Sequence, residues 1–115
     1  MLLERYRNNP ILRPDPSKPY ESTCAYNPAA AVHEGKVYIV YRAEDKDKLS
    51  SLCLAVSKDG YSFEKYEGNP ILKPELPEEK QGCEDPRVTK IGEDEGIRIF
   101  RLITKSCNSF FTSLY

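Results

Sequence analysis

One phrase occurs twice in this chain: Asn9-Pro10-Ile11-Leu12-Arg13-Pro14 returns as Asn69-Pro70-Ile71-Leu72-Lys73-Pro74, sixty positions later. A near copy at a fixed spacing restricts the fold to architectures made by repeating one unit. A second echo follows each copy. Cys24-Ala25-Tyr26-Asn27-Pro28 precedes one strand-turn-strand unit and Cys83-Glu84-Asp85-Pro86 precedes the next, with the prolines 58 positions apart, and glycine turns follow at His33-Glu34-Gly35 and Ile91-Gly92-Glu93. Between the echoes, Lys36–Arg42 and Leu52–Ser57 are rich in β-branched and aromatic residues and read as strands. Ala43–Lys48 is a charged connection, and Lys58-Asp59-Gly60 is a turn leading into Tyr61–Lys65. No segment has a helical period. The pattern predicts an all-β antiparallel meander. Repeats of several short strands over roughly forty to sixty residues are the mark of propeller blades, which bury their faces only against their neighbours. Two such units do not close a ring, so the chain is expected to hold the first one to two blades of a propeller and to be truncated. A β-sandwich made from a duplicated meander is the alternative.

In a propeller the inner strands line a central channel, and side chains at equivalent positions of successive blades converge on one mouth. Asn27 and Asp85 occupy such positions. The proline after each fixes its own backbone and disfavours the helical region for the residue before it, which predicts an extended backbone holding the polar side chain in a set direction. A surface turn is the plainer reading of an isolated Asp-Pro, but repetition at matched places, with Glu84 and Arg87 alongside, favours a site. Strand alternation puts Asp85 and Arg87 on one side. A neighbouring guanidinium favours the carboxylate and an apolar channel wall disfavours it, and the residues alone leave that balance open. Arg42, ending a predicted strand, is placed to reach the same mouth and to hold hydroxyls or an anion with its fork of donors.

Composition removes other classes. The 17 basic and 18 acidic residues leave a formal charge of −1 without a basic block, so no nucleic-acid partner is expected. No stretch is apolar for long enough to span a membrane, and charges at Glu4, Arg5 and Arg7 interrupt the place of a signal peptide's apolar region, so no membrane partner and a cytoplasmic location are expected. Cys24, Cys53, Cys83 and Cys107 are widely spaced and read as free thiols. The single histidine, His33, sits beside a turn and offers no metal or triad pattern, so no metal and no cofactor are expected.

Six phrases in order resemble glycoside hydrolase family 130, the inverting mannoside phosphorylases and related β-mannosidases built on a five-bladed propeller. They are Asn8–Leu12, Tyr26–Ala30, Val40–Asp45, Leu54–Gly60, Tyr66–Ile71 and Gly82–Arg87, and the resemblance covers roughly residues 6 to 92. It implies that Asp85 is the general acid and that Asn27 and Arg42 contact the mannosyl unit being cleaved; Arg87 beside Asp85 joins them as a substrate-binding candidate. It also implies a β-mannoside oligosaccharide substrate, inorganic phosphate as co-substrate, mannose 1-phosphate as product, and a homo-oligomer as a possible assembly. In the family's reaction the acid protonates the departing oxygen through the 3-hydroxyl of the mannose while phosphate attacks the anomeric carbon from the opposite face. The chemistry needs a proton donor on one side and room for an external nucleophile on the other. A hydrolytic β-mannosidase of the same family and a non-catalytic sugar-binding β module are the alternatives.

Two departures from the family pattern stand out. Ser50-Ser51-Leu52-Cys53 replaces a Ser-Arg-Leu-Gly phrase, so an arginine is absent at Ser51. After Gly92 the tyrosine-rich strand of the family is not evident. The expected division is therefore a partial propeller over 1–92, with repeat units near 8–67 and from 68 onward, and a divergent or frameshifted segment over 93–115, within which Ile97 to Ile103 is a candidate for a diverged strand. Because the basic residues that hold phosphate are expected in further blades, the chain alone is expected to be inactive.

Overall fold

The computed structural model describes residues 2–80, 82–90, 97–102 and 110–114, with side chains as far as Thr89. The predicted turn at Ile91-Gly92-Glu93 and Cys107 lie outside the described residues. Two antiparallel sheets form. The first has β1 (Cys24–His33), β2 (Lys36–Glu44), β3 (Ser50–Ser57) and β4 (Glu64–Lys65) in that spatial order; the second has β5 (Glu84–Lys90), β6 (Ile97–Leu102) and β7 (Phe110–Leu114) in that order. The candidate strand at Ile97 to Ile103 is thus β6, and β7 extends the sheet where no strand was anticipated.

Local chemistry sets the register of the first hairpin. His33 pairs with Lys36, and the two residues between them, Glu34 and Gly35, both have positive φ, of 47° and 71°. Such a two-residue turn matches the twist of antiparallel strands. Alternation then sends Ile39, Tyr41 and Ala43 of β2 to one face and Tyr38, Val40 and Arg42 to the other.

Strand β3 is buried almost throughout, which explains its continuous apolar run Leu52–Val56. On one side Ile39, Tyr41, Ala43, Cys53 and Ala55 form a core closed by Ile11, Leu12, Tyr20 and Phe63. On the other, Val40, Leu52 and Leu54 meet Cys83, Ile71, Leu72 and Val88. Each fully buried leucine of that junction contributes about 2 kcal/mol. The second copy of the repeated phrase is an arm lying along β3: the Leu52 and Ile71 amides donate to Leu72 O and Leu52 O at 2.8 and 2.9 Å. The Asn69 side chain accepts from Leu54 N at 2.8 Å through Oδ1 and donates to Leu54 O at 2.9 Å through Nδ2.

Two 3₁₀ turns, Pro19–Glu21 and Pro77–Glu79, escape a sequence reading because three residues carry no period. Each ends on a fully buried glutamate. Glu21 accepts from the Tyr41 hydroxyl at 3.0 Å and pairs with Lys65 Nζ at 2.7 Å, while Glu79 Oε2 accepts from the Glu75 and Leu76 amides. Burial, reinforced by the charge of Glu21, pushes the Cys53 thiol up to about 12 and the Tyr41 phenol above its ordinary range. Cys24 and Cys53 are unbridged. No helix among the described residues is long and apolar enough to cross a membrane.

Candidate active site

The two Asx-Pro pairs lie inside strands, not at corners. Between Tyr26, opposite Arg42, and Ala29, opposite Val40, strand β1 carries one residue more than β2; between Glu84, opposite Leu102, and Arg87, opposite Phe100, β5 carries one more than β6. Asn27-Pro28 and Asp85-Pro86 are therefore the same β-bulge in successive sheets. The expectation of extended backbone before each proline is corrected: Asn27 has φ 47° and Asp85 φ 44°. Proline disfavours the right-handed helical region for its predecessor, but a bulge demands a local reversal, and Asn and Asp enter positive φ more readily than other side-chain-bearing residues. Bulges re-aim side chains. Here they turn Asn27 and Asp85 toward each other, with Asn27 Nδ2 donating to Asp85 Oδ1 at 2.9 Å.

Arg42 fixes this junction from β2. Its Nε donates to Ser50 Oγ at 2.7 Å and its Nη2 to Glu84 Oε1 at 2.7 Å, with Glu44 Oε2 at 3.9 Å. The guanidinium stacks over Tyr26, 4.8 Å from the ring centroid, and Tyr26 in turn donates its hydroxyl to Glu44 Oε2 at 2.9 Å. Burial and that bond raise the Tyr26 phenol above its ordinary value. Arg42 thus ties the first sheet to the residue beside Asp85. Its Nη1 lies 4.0 Å from Asp85 Oδ1 and makes no hydrogen bond among the described residues.

All four predicted residues meet in one region. Asn27, Pro28, Asp85 and Arg87 line an open pocket of about 300 Å³, and Arg42 lies outside this lining with its Nη1 4.0 Å from Asp85 Oδ1. Asp85 is about one-third exposed. Arg87 is exposed, and its Nη1 donates to Pro86 O at 3.1 Å. A larger cavity, described below, has no carboxylate in its lining. Sequence reasoning did not single out Tyr26, Glu44 or Ser50. Glu44 was within reach, because it stands two positions from Arg42 on the same strand face; Tyr26 and Ser50 meet Arg42 only through cross-strand register. Among the described residues no group of His, Cys, Asp and Glu is arranged to hold a metal. The pocket presents one carboxyl group, one side-chain amide and one exposed cation, with the Arg42 guanidinium 4.0 Å from the carboxylate, a set of groups able to exchange a proton and to hydrogen-bond hydroxyls.

A family model described as β-1,4-mannooligosaccharide phosphorylase matches residues 3–98. The chain belongs to glycoside hydrolase family 130. Its similarity to the β-1,2-mannobiose phosphorylase of Thermoanaerobacter sp. (strain X514) is 41% identity over 103 residues, 77% of this chain and 33% of that protein. Among solved structures, a glycosidase from Bacteroides thetaiotaomicron VPI-5482 superposes with a TM-score of 0.77 at 31% identity, over 93% of this chain and 37% of the other. A structure from work on family 130 glycoside hydrolases that target β-1,2 mannosidic linkages in Candida mannan superposes with a TM-score of 0.73 at 28% identity, over 94% and 36%. The chain spans about a third of the length of the curated relatives it matches. These neighbours establish the fold as part of a five-bladed propeller, and the sandwich alternative is set aside.

Proposed function

We propose that this chain contributes the general-acid half of a β-mannoside phosphorylase site. The Asn27–Asp85 hydrogen bond carries the reading, since it brings an acid and an orienting amide from two sheets to one pocket. In this reading Asp85 supplies the proton that reaches the departing oxygen, by way of the mannose 3-hydroxyl. Asn27 Nδ2 and Arg42 Nη1 orient the sugar hydroxyls, and Arg87 lies at the rim. Phosphate attacks the anomeric carbon from the far face, so one bond to carbon forms as the glycosidic bond breaks and mannose 1-phosphate leaves. Arg42 has a second part here: with Ser50 and Glu84 taking two of its nitrogens, it holds the bulge that aims Asp85. A β-1,2-linked mannobiose is the substrate we favour, on the 41% identity to a phosphorylase of that disaccharide.

The test joins this chain to the remaining two thirds of the Thermoanaerobacter β-1,2-mannobiose phosphorylase and assays phosphate-dependent release of mannose 1-phosphate. The fusion is expected to be active. Asp85→Asn should slow it by about a hundred- to ten-thousand-fold, the range of general acid catalysis, with sugar binding kept. A near-normal rate in that variant would remove Asp85 from the role. Release of free mannose would favour hydrolysis, a second reading that the relation to the β-1,2-mannan hydrolase work supports.

A further inference from the structure

Tyr26, Arg42, Glu44 and Ser50 stand on one face of the first sheet. Tyr26 is paired directly with Arg42 across β1 and β2, Glu44 follows two positions after Arg42, and Ser50 is the partner of Glu44 on β3. From the second sheet come Glu84 and Asp85. Among the described residues three carboxylates thus surround one guanidinium: from Arg42, Glu84 Oε1 lies at 2.7 Å, Glu44 Oε2 at 3.9 Å and Asp85 Oδ1 at 4.0 Å. A guanidinium presents five N–H donors in one plane and pairs most strongly with a carboxylate through two of them at once. Arg42 Nη1 stands about 1 Å beyond hydrogen-bond range of Asp85.

Two hydrogen bonds alone do not hold it there. The bonds from Nε to Ser50 and from Nη2 to Glu84 define a line about which the guanidinium can still tip, carrying Nη1 with it. The Tyr26 ring, with its centroid 4.8 Å from Arg42 Cζ, supports the flat face and blocks that tipping. The ring is not itself wedged by packing, because it also lines the larger cavity, about 570 Å³, whose other walls include Arg5, Arg7, Ile11, Ala25 and Tyr41. Its hydroxyl is tethered instead, donating to Glu44 Oε2 at 2.9 Å. The Glu44 side chain is only 14% exposed, so this tether is shielded from water.

We propose that Tyr26 and Glu44 are positioning residues that keep Arg42 from closing on Asp85. The inference rests on the reading of Asp85 as the general acid. Glu44 tethers the ring, the ring carries the guanidinium, and Nη1 stays near the carboxyl group without bonding it. Without this support the guanidinium tips toward Asp85 and forms the two-pronged pair, whose geometry and charge make it the stronger arrangement. The oxygens that a sugar hydroxyl must reach are then occupied, and the acid is present but unavailable for proton transfer. Tyr26 and Glu44 touch no substrate in this account. They act through Arg42, as a supporting layer that holds a reactive group in its working geometry.

NMR of the full chain labelled with ¹⁵N-arginine reads the restraint without turnover. In the parent, the Arg42 Nη1 protons should exchange freely with solvent while Nη2 is protected. In Tyr26→Leu and in Glu44→Ala, Nη1 should become protected, and adding Asp85→Ala should abolish that new protection. Glu44→Gln, whose amide oxygen still accepts from Tyr26, should behave as the parent. In the fusion enzyme, Tyr26→Leu should lower kcat about tenfold and Glu44→Ala about fivefold, with KM changed less than about threefold and the rate largely recovered in Glu44→Gln. Glu44→Ala keeps the result interpretable if Tyr26→Leu folds poorly. The restraint is overturned if Nη1 exchange is the same in parent and variants, if Nη1 closes on Asp85 with kcat unchanged, or if the loss falls on KM alone. A near-normal rate in Asp85→Asn would instead remove the acid assignment, and the Nη1 exchange would still decide the restraint.

Discussion

The two Asx-Pro bulges share a backbone and differ in one atom. Asn27 and Asp85 have nearly the same φ, the same following proline and the same extra residue against the partner strand, yet one presents an amide nitrogen where the other presents an oxygen. Two carboxylates in hydrogen-bond range would repel, and one would be pushed to hold its proton. An amide facing a carboxylate makes a bond instead. The duplicated scaffold therefore supplies the convergence, and the difference between amide and carboxylate at the matched position sets a donor against an acceptor.

The entry to each bulge differs as well. Gly82, with φ 105°, lies so close to β3 that an added Cβ would come within 2.6 Å of Ser50 N and 2.7 Å of Ser50 O. Neither main-chain atom can move aside cheaply, so Gly82→Ala is expected to cost about 3 kcal/mol, from overpacking and an unfavourable φ. Cys24→Ala, at the corresponding edge of the first sheet, should cost less than about 1 kcal/mol because its side chain is only half-buried. Urea denaturation of the two variants checks the contrast, and equal losses would break it.

A smaller effect separates strain from bonding within one bulge. Asn27→Ala loses the bond to Asp85 and keeps a side chain at positive φ, for an expected loss of about 1–2 kcal/mol. Asn27→Gly loses the same bond but relieves the backbone, and should be about 1 kcal/mol milder. The order of the two urea midpoints is the readout. If alanine were the milder change, positive φ would not be costly at this position.

A further, pH-dependent effect appears in alkali and belongs to the first sheet's core. The Cys53 thiol is raised from 9.0 to about 12 by burial. Its contribution is fully present below pH 9, where folded and unfolded thiols are both protonated, and is lost as pH rises toward 12, because the unfolded thiol ionises first. Tyr41, also raised, acts in the same direction above its ordinary value of 10.0. Stability should therefore fall between about pH 9 and pH 12, and Cys53→Ala should flatten that decline. An unchanged slope in the variant would assign the loss elsewhere.

The sequence exposed the repeat because the same phrase returned at a fixed interval, and it exposed Asn27 and Asp85 because matched places in stacked units converge. It did not expose the bulges. The rule for residues before proline argues from one dipeptide, whereas a bulge is a count across two strands. Arg42 was visible as a strand-end cation, but its ties to Ser50 and Glu84 join segments far apart in the chain. The buried Glu21 was hidden for a related reason: nothing local announces that Tyr41 and Lys65 will meet it.

The most direct test compares the Asn27 side-chain amide by NMR in the parent chain and in Asp85→Ala. A bond to Asp85 predicts a downfield Nδ2 proton that is protected from exchange and returns to an unstructured shift in the variant. An Asn27 amide already at an unstructured shift, and indifferent to the Asp85 substitution, would contradict a shared pocket.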